Sequence, residues 1–540
     1  RGICEATGWG TDEVRVHVPD VGGGFGTKAN VYPEEVLVPA LARLTGRDLV
    51  WVEDRQEHLV SAAQARDQVH RCTLSVDREG RILALHDDFL VNTGAGSLWV
   101  AGIVANTALH LLGPYRVPAA RISGRAVFTN KAIVAQYRGA GRPEASFVLE
   151  RSLDAAARRL GLTPVEIRRR NLLTAGDMPY PQPVPYRDGV PIAYDGGDYR
   201  ACLDAALDML PESAVEDVRR EHPDLLVGHG VGCYIEATGR GPYEAARLEL
   251  TADGRIEVMT GAASAGQGHE TSFAQVAAAQ LDIPVECVRV LRTDTRVVPH
   301  GVGSFGSRSA VLAGNAIAQT AAELVDGARE RLARAAGADV TDVTYAAGVF
   351  AVPGLGPASW HDVAALTAPG AALEGAPPLQ ASGTYRCETV TWTMGAHAAV
   401  VGVHPGTGLT RVLRYAIAHE GGVEINPMIV EGQVLGGMAQ GLGGVLFEEF
   451  RYTPDGIPTS TTFADYGLPG TCEVPRVRVR HLGVPTANPL GVRGAGESGT
   501  IAVAAAVTSA VDAAVGTTHL TATPIAASLV KAALARGEAA

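Results

Sequence analysis

The residues of this chain that could do chemistry lie in or beside glycine-rich loops. Five such loops are Val21-Gly-Gly-Gly-Phe-Gly-Thr-Lys28, Tyr137-Arg-Gly-Ala-Gly-Arg-Pro-Glu144, Ser264-Ala-Gly-Gln-Gly-His269, Gly301-Val-Gly-Ser-Phe-Gly-Ser-Arg-Ser309 and Gly491-Val-Arg-Gly-Ala-Gly-Glu-Ser-Gly499. Glycine lets a backbone approach a ligand and take positive φ, and its N–H groups can then cradle an anion. One loop of this kind reads as an ordinary turn. Five, each followed by a predicted helix start, point to one large anionic ligand, because helix N-termini also favour anions. Glu497 stands in the last loop just before an apolar helix. Burial would raise its pKa and helix N–H groups would lower it, which suits a general base; the plain alternative is a helix-start carboxylate. Arg138, between Tyr137 and Gly139, could offer a cationic fork to an anionic oxygen or a carbonyl, or be a surface arginine. Tyr137 reads equally as pocket wall or packing. Lys28 reads equally as phosphate ligand or exposed lysine.

Single-motif explanations fail in detail. Gly26-Thr27-Lys28 is in the wrong order for a phosphate-binding P-loop, and no regular βαβ unit supports a dinucleotide fingerprint. His269-Glu270 lacks the second histidine of a zinc-protease helix, and Val302-Gly-Ser304-Phe-Gly306 lacks the first glycine of a nucleophile elbow. His269 and His419 have no partner at ligand spacing and read as structural histidines. The seven cysteines form no CxxC pair, which argues against iron–sulfur, zinc or disulfide frameworks within the chain and for a reducing cytoplasm. A net charge of −12 argues against nucleic acid or an anionic membrane as partner. The most apolar stretch, Thr500 to Val515, is short, carries Asp512 and reads as a buried helix rather than a membrane span.

These loops need elements to hold them. At 540 residues, with 46% hydrophobic and 19% charged, the chain reads as two or more folded domains. Alternating apolar runs flank turns in Cys72–Asn92, Ala246–Thr260 and Ala399–Ile417, predicting three β-hairpins whose recurrence hints at related units. Helices are predicted over Pro33–Leu44, Pro143–Leu160, Ser309–Ala336, Gln433–Phe447 and Thr500–Val515, with a capping box at Thr163-Pro-Val-Glu166. Mixed strands and helices without regular alternation give an α+β class. The Pro-rich segment Met178–Ile192 is the candidate linker, so the division expected is 1–200 and 201–540.

Taken in order, these segments resemble the molybdenum subunit of the xanthine oxidase family, of the large-subunit type found with carbon monoxide dehydrogenase and bacterial N-heterocycle hydroxylases. The match runs through nearly the whole chain. Beside the loops it rests on Tyr32-Pro-Glu-Glu35, Trp51-Val-Glu-Asp-Arg55, Ile167-Arg-Arg-Arg-Asn-Leu172 and Ile425-Asn-Pro-Met-Ile-Val-Glu-Gly-Gln433. The resemblance implies two domains gripping a molybdopterin cytosine dinucleotide between them. It implies that Phe25, with Gly24 and Gly26, borders molybdenum and pterin, and that Arg138 lies beside the metal. Gln267, with Gly266 and Gly268, would bind the dinucleotide phosphates. Ser307 and Ser309 would hold the pterin, Gln433 would bond near the dithiolene, and Glu497 would be the base of a hydroxylation that takes its oxygen from water. Protein ligands to the metal are not implied.

The resemblance further implies partner subunits, an iron–sulfur small subunit with two [2Fe–2S] clusters and an FAD medium subunit, in a dimer of heterotrimers. It also implies a further N-terminal segment with a glutamine near the metal, ahead of Arg1. Copper-containing carbon monoxide dehydrogenases have cysteine after the active-site arginine, where this chain has Gly139. Purine oxidisers have glutamate where it has Ala29, and Ala140 alters their aromatic clamp. The expected activity is therefore hydroxylation of an N-heterocycle or aldehyde. The alternatives are carbon monoxide oxidation, a cofactor-carrying protein without turnover, and a nucleotide enzyme using one glycine loop.

Overall fold

The computed structural model describes residues 2–538 apart from 97–98, 186–188, 190, 299, 388 and 517–518. Near the start lies α1 (Pro33–Thr45), which opens on proline, with the Glu35 carboxylate accepting the Tyr32 N–H at 2.9 Å, and stops at left-handed Gly46. Next come β1 (Gln68–Val76) and β2 (Ile82–Asn92), an antiparallel hairpin, then α2 (Val100–His110) and β3 (Ala120–Val127), which pairs parallel to β2. Helices α3 (Arg142–Leu160) and α4 (Pro164–Asn171) follow. The capping box at the start of α4 is present: the Thr163 hydroxyl accepts the Glu166 N–H at 3.1 Å and the Glu166 carboxylate accepts the Thr163 N–H at 2.7 Å.

After α5 (Tyr199–Met209) and the long strand β4 (Leu226–Thr238), the arrangement recurs. Hairpin β5 (Glu244–Leu250) and β6 (Ile256–Thr260) leads through α6 (His269–Leu281) to β7 (Val288–Val290), parallel to β6. Past α7 (Asn315–Ala336) and β8 (Gln380–Tyr385) it recurs again. Hairpin β9 (Thr391–Val403) and β10 (Thr410–Glu420) leads through α8 (Pro427–Leu446) to β11 (Val477–His481), parallel to β10. The sheets run β1-β2-β3, β8-β5-β6-β7 and β11-β10-β9-β4.

The three expected hairpins are thus arms of three ββαβ units. A hairpin alone leaves both outer edges open, and a third strand parallel to its second strand can reach that edge only through a crossover, here a helix each time. In every unit the chain leaves the parallel strand through a glycine-rich loop and enters a helix: 137–141 before α3, 301–309 before the π-helical turn Ala310–Gly314 and α7, and 491–497 before Ser498–Ile501 and α9 (Val503–Val515). Functional sites favour this end of parallel strands.

Several boundaries differ from expectation. The helix expected from Gln433 begins six residues earlier, where the Asn426 side chain accepts the Ile429 N–H at 3.0 Å. Ser309–Ala336 is not one α-helix but a π-helical turn and a helix. Thr500–Val515 is interrupted at Ala502. The span Ser498–Val515 is apolar enough to cross a membrane, but 83% of it is buried inside this fold. It lies across β4, where Cβ atoms at Gly228 and Gly230 would come within 2.2 Å of Ala510 backbone atoms. The glycines of β4 therefore let an Ala-rich helix touch the sheet directly. One core cluster joins Leu149, Ile167, Tyr194, Leu203, Val231 and Trp392, running across residue 200.

Candidate active site

The three loops after the parallel strands meet at Glu497. Its Oε1 accepts the Gly139 N–H at 2.8 Å and lies 3.3 Å from Arg142 Nη1, while its Oε2 accepts the Ser307 hydroxyl at 3.1 Å. The Glu497 N–H donates in turn to Ser307 Oγ at 3.2 Å. The side chain keeps 14% of its surface exposed, so it is held by protein on most sides and open on one. Burial pushes its pKa up, but Arg142, the Gly139 N–H, the Ser307 hydroxyl and Arg138 outweigh burial and hold it below the ordinary carboxylate value. The result is a carboxylate that stays ionised at neutral pH.

Arg138 is buried and ties these loops to their neighbours. Its Nε donates to the Gly496 carbonyl at 2.6 Å, Nη1 to Gln440 Oε1 at 3.0 Å, and Nη2 to the Gln433 carbonyl and side chain at 2.8 and 3.3 Å. Four of the five guanidinium N–H groups are thereby committed. Its backbone N–H donates to the Phe25 carbonyl at 2.8 Å, and its guanidinium lies 5.6 Å from the Phe25 ring. The first glycine loop thus joins the cluster. Phe25 has φ +49° and is half exposed, so an aromatic face stands open beside Arg138.

Gln267 belongs to a second, adjoining group. It accepts from the Ala265 N–H and donates to Ser304 Oγ at 2.9 Å, and Ser304 contacts Ser309 Oγ at 2.8 Å. Ser307 and Ser309, on one loop, therefore face different groups: Ser307 bonds Glu497, and Ser309 is linked to Gln267 only through Ser304. Gly268 caps α6 in left-handed geometry, and a Cβ there would also meet Ile429 at 2.7 Å.

The glycines separate by what surrounds them. A Cβ on Gly26 would meet the Gln136 carbonyl at 2.5 Å, and one on Gly494 the Ser307 carbonyl at 1.8 Å; these let loops pack on one another. By contrast, a Cβ on Gly24 or Gly266 would find nothing closer than 3.8 Å, and one on Gly303 or Gly306 nothing within 4 Å. These four leave bare backbone facing open space between the loops. Backbone without side chains, a helix N-terminus and an exposed aromatic ring form a cradle suited to a flat, polyanionic molecule.

Arg142, Gln440, Ser304 and Glu236 carry parts of this arrangement without having been singled out in the sequence. Arg142 ends the Tyr137–Arg142 motif, and Gln440 follows Gln433 by seven residues, two turns along one helix face. Glu236 is the one charge in the apolar run of β4, a signal in its own right. Tyr137 sits under the Arg66 guanidinium at 4.8 Å, with burial raising its hydroxyl to about 12. His269 bonds the Ala262 carbonyl at 3.0 Å and stacks on Phe273. Lys28 is exposed.

Known proteins agree with this architecture. The family described as molybdopterin cofactor-binding domain matches twice, over residues 1–172 and 206–475. The 6-hydroxypseudooxynicotine dehydrogenase complex subunit gamma of Paenarthrobacter nicotinovorans is 40% identical over 512 residues, spanning 93% of this chain and 64% of that protein. The carbon monoxide dehydrogenase large chain of Hydrogenophaga pseudoflava is 32% identical, spanning 94% of this chain and 66% of that one. This chain therefore spans just under two thirds of each of these relatives. Among solved structures, quinoline 2-oxidoreductase from Pseudomonas putida 86 superposes with a TM-score of 0.89 at 32% identity, covering 99% of this chain and 70% of that one. With three ββαβ units delivering their loops to one cleft, the chain belongs to the molybdopterin-binding domains of the xanthine oxidase family.

Proposed function

We propose that this chain is the molybdenum-carrying part of a bacterial hydroxylase that oxidises an electron-poor carbon of an N-heterocycle or an aldehyde, with Glu497 as the base. The observation that carries this reading is the Glu497 carboxylate, kept ionised by Arg142, Gly139 and Ser307 yet open on one side. Two of the named relatives, whose names give 6-hydroxypseudooxynicotine and quinoline as substrates, support an N-heterocyclic substrate class.

The cofactor proposed is molybdopterin cytosine dinucleotide between units 1–200 and 201–540. When bound it would supply a two-electron acceptor and an activated oxygen derived from water. Phe25 would lie against the pterin, Gly24 and Gly26 would bring the first loop beside it, and Ser309 would face it. Gly266, Gln267 and Gly268 would face the phosphates from the start of α6. Arg138 would hold the Phe25, Gln433 and Gly496 segments in register and turn its remaining N–H toward the cleft. Glu497 would take a proton on a carboxylate oxygen, and Gly139 N–H, Ser307 and Arg142 would keep that oxygen in place. Electrons would leave to an iron–sulfur subunit and an FAD subunit in a cytoplasmic dimer of heterotrimers. Copper-assisted carbon monoxide oxidation is disfavoured, because Gly139, the residue after Arg138, offers no thiol to hold copper.

Glu497→Gln in the assembled enzyme is expected to retain molybdenum while turnover falls by about 10²-fold or more. Turnover near wild type with full molybdenum would refute the assignment.

A further inference from the structure

Glu236 lies on β4 under the active cluster and is fully buried. Neither of its carboxyl oxygens has a hydrogen bond of good geometry. The nearest cation is Arg142, whose Nη1 is 4.0 Å from Glu236 Oε1 but 3.3 Å from Glu497 Oε1. That guanidinium is also committed to the Gly139 and Ala237 carbonyls at 3.3 and 2.7 Å. One buried cation thus stands between a fully buried carboxyl, Glu236, and a partly exposed one, Glu497, and lies nearer the second. An ionised carboxyl without donors is costly in such a place, whereas a protonated one is not.

We propose that Glu236 is a positioning residue for Glu497: the two carboxyls hold one proton between them, kept on Glu236, so that the charge of Arg142 serves Glu497 undivided. This rests on Glu497 acting as the base. In this arrangement Arg142, Glu497 and Glu236 carry no net charge together. Were Glu236 ionised as well, the two anions would compete for one guanidinium and the basicity of Glu497 would change with pH.

The groups facing Glu236 are Arg142 from α3, Arg138 from the loop before α3, Ser307 from the loop before α7, Glu497 from the loop before α9, and Tyr234 on β4 itself. Burial raises the Glu236 carboxyl to about 8; Arg142 opposes this, the charge of Glu497 adds to the rise, and Ser307 and Arg138 lower it. Because the folded value exceeds the unfolded one, the native state holds this proton from the unfolded carboxyl range up to about 8. Stability from this group therefore declines as pH rises through that window and levels off above it.

The test is infrared difference spectroscopy on the purified full-length protein. A carbonyl stretch of a protonated carboxylic acid is expected at about pH 6.5, vanishing with a midpoint near 8, and absent in Glu236→Gln. In Glu497→Gln, Arg142 loses its nearer anion and Glu236 loses a repelling charge, so the midpoint is expected to fall by about one unit or more. The Tm of Glu236→Gln relative to wild type is expected to rise from about pH 5 to about pH 8. No acid band in folded wild type, or a midpoint unmoved by Glu497→Gln, would overturn the inference. Neither readout depends on turnover. An active Glu497→Gln enzyme would refute the base assignment while leaving the band of Glu236 as evidence of its protonation.

Discussion

Two sets of glycines in the same loops do opposite work. Gly494, Gly499 and Gly26 are hemmed in: a Cβ would lie 1.8 Å from the Ser307 carbonyl, 2.1 Å from the Val434 carbonyl and 2.5 Å from the Gln136 carbonyl, respectively. Gly24, Gly266, Gly303 and Gly306 face open space. The first set lets three chain segments close on Glu497, and the second leaves bare backbone with room for a ligand against it. The lesson is that a glycine-rich loop is not one signal. Its residues divide between those that build the site and those that leave room in it.

Substitutions in either set of glycines, or in the cluster they enclose, test this division. The largest expected effect lies at the centre of the closed cluster: Arg142→Met removes the cation shared by Glu497 and Glu236 and should destabilise by about 3–5 kcal/mol in denaturant titration. A loss within experimental error would mean that the buried carboxyls do not depend on it. Gly494→Ala should cost about 3 kcal/mol, because a methyl cannot share space with a carbonyl oxygen and the loop after β7 must move. Smallest in stability is Gly24→Ala. Its Cβ would stand at ordinary contact distances, 3.9 Å from Ala265 and 4.0 Å from Lys28. Its stability should change by less than about 0.5 kcal/mol while molybdenum content falls. If Gly494→Ala and Gly24→Ala lose stability alike, the division between the sets is wrong.

Much of this was legible in the sequence where local physics decides. The capping box at Thr163 and the proline start and glycine stop of α1 fall where the residues put them, because caps satisfy groups within one turn. The three hairpins are marked by turns and alternation. Their parallel third strands are not, since β10 and β11 pair across a separation that includes the whole of α8. Ala502 interrupts an Ala-rich run that reads as one helix; the short helix before it packs Gly499 against Val434, a tertiary contact that local sequence does not mark. Asn426-Pro427 is itself a start signal, an N-cap followed by proline, and it places the helix start six residues ahead of Gln433. Glu497, Arg138, Gln433 and Ser307 could be named from the loops and the resemblance. Arg142 could not be tied to Glu497, because 355 positions separate them and only folding brings them to 3.3 Å.

The role proposed for these loops is to cradle a molybdopterin dinucleotide. It is tested most directly by measuring molybdenum, copper and released CMP in the full-length protein purified with its partner subunits from a molybdenum-replete host. Equimolar molybdenum and CMP without copper is the predicted result. A folded complex holding neither molybdenum nor nucleotide would contradict the account.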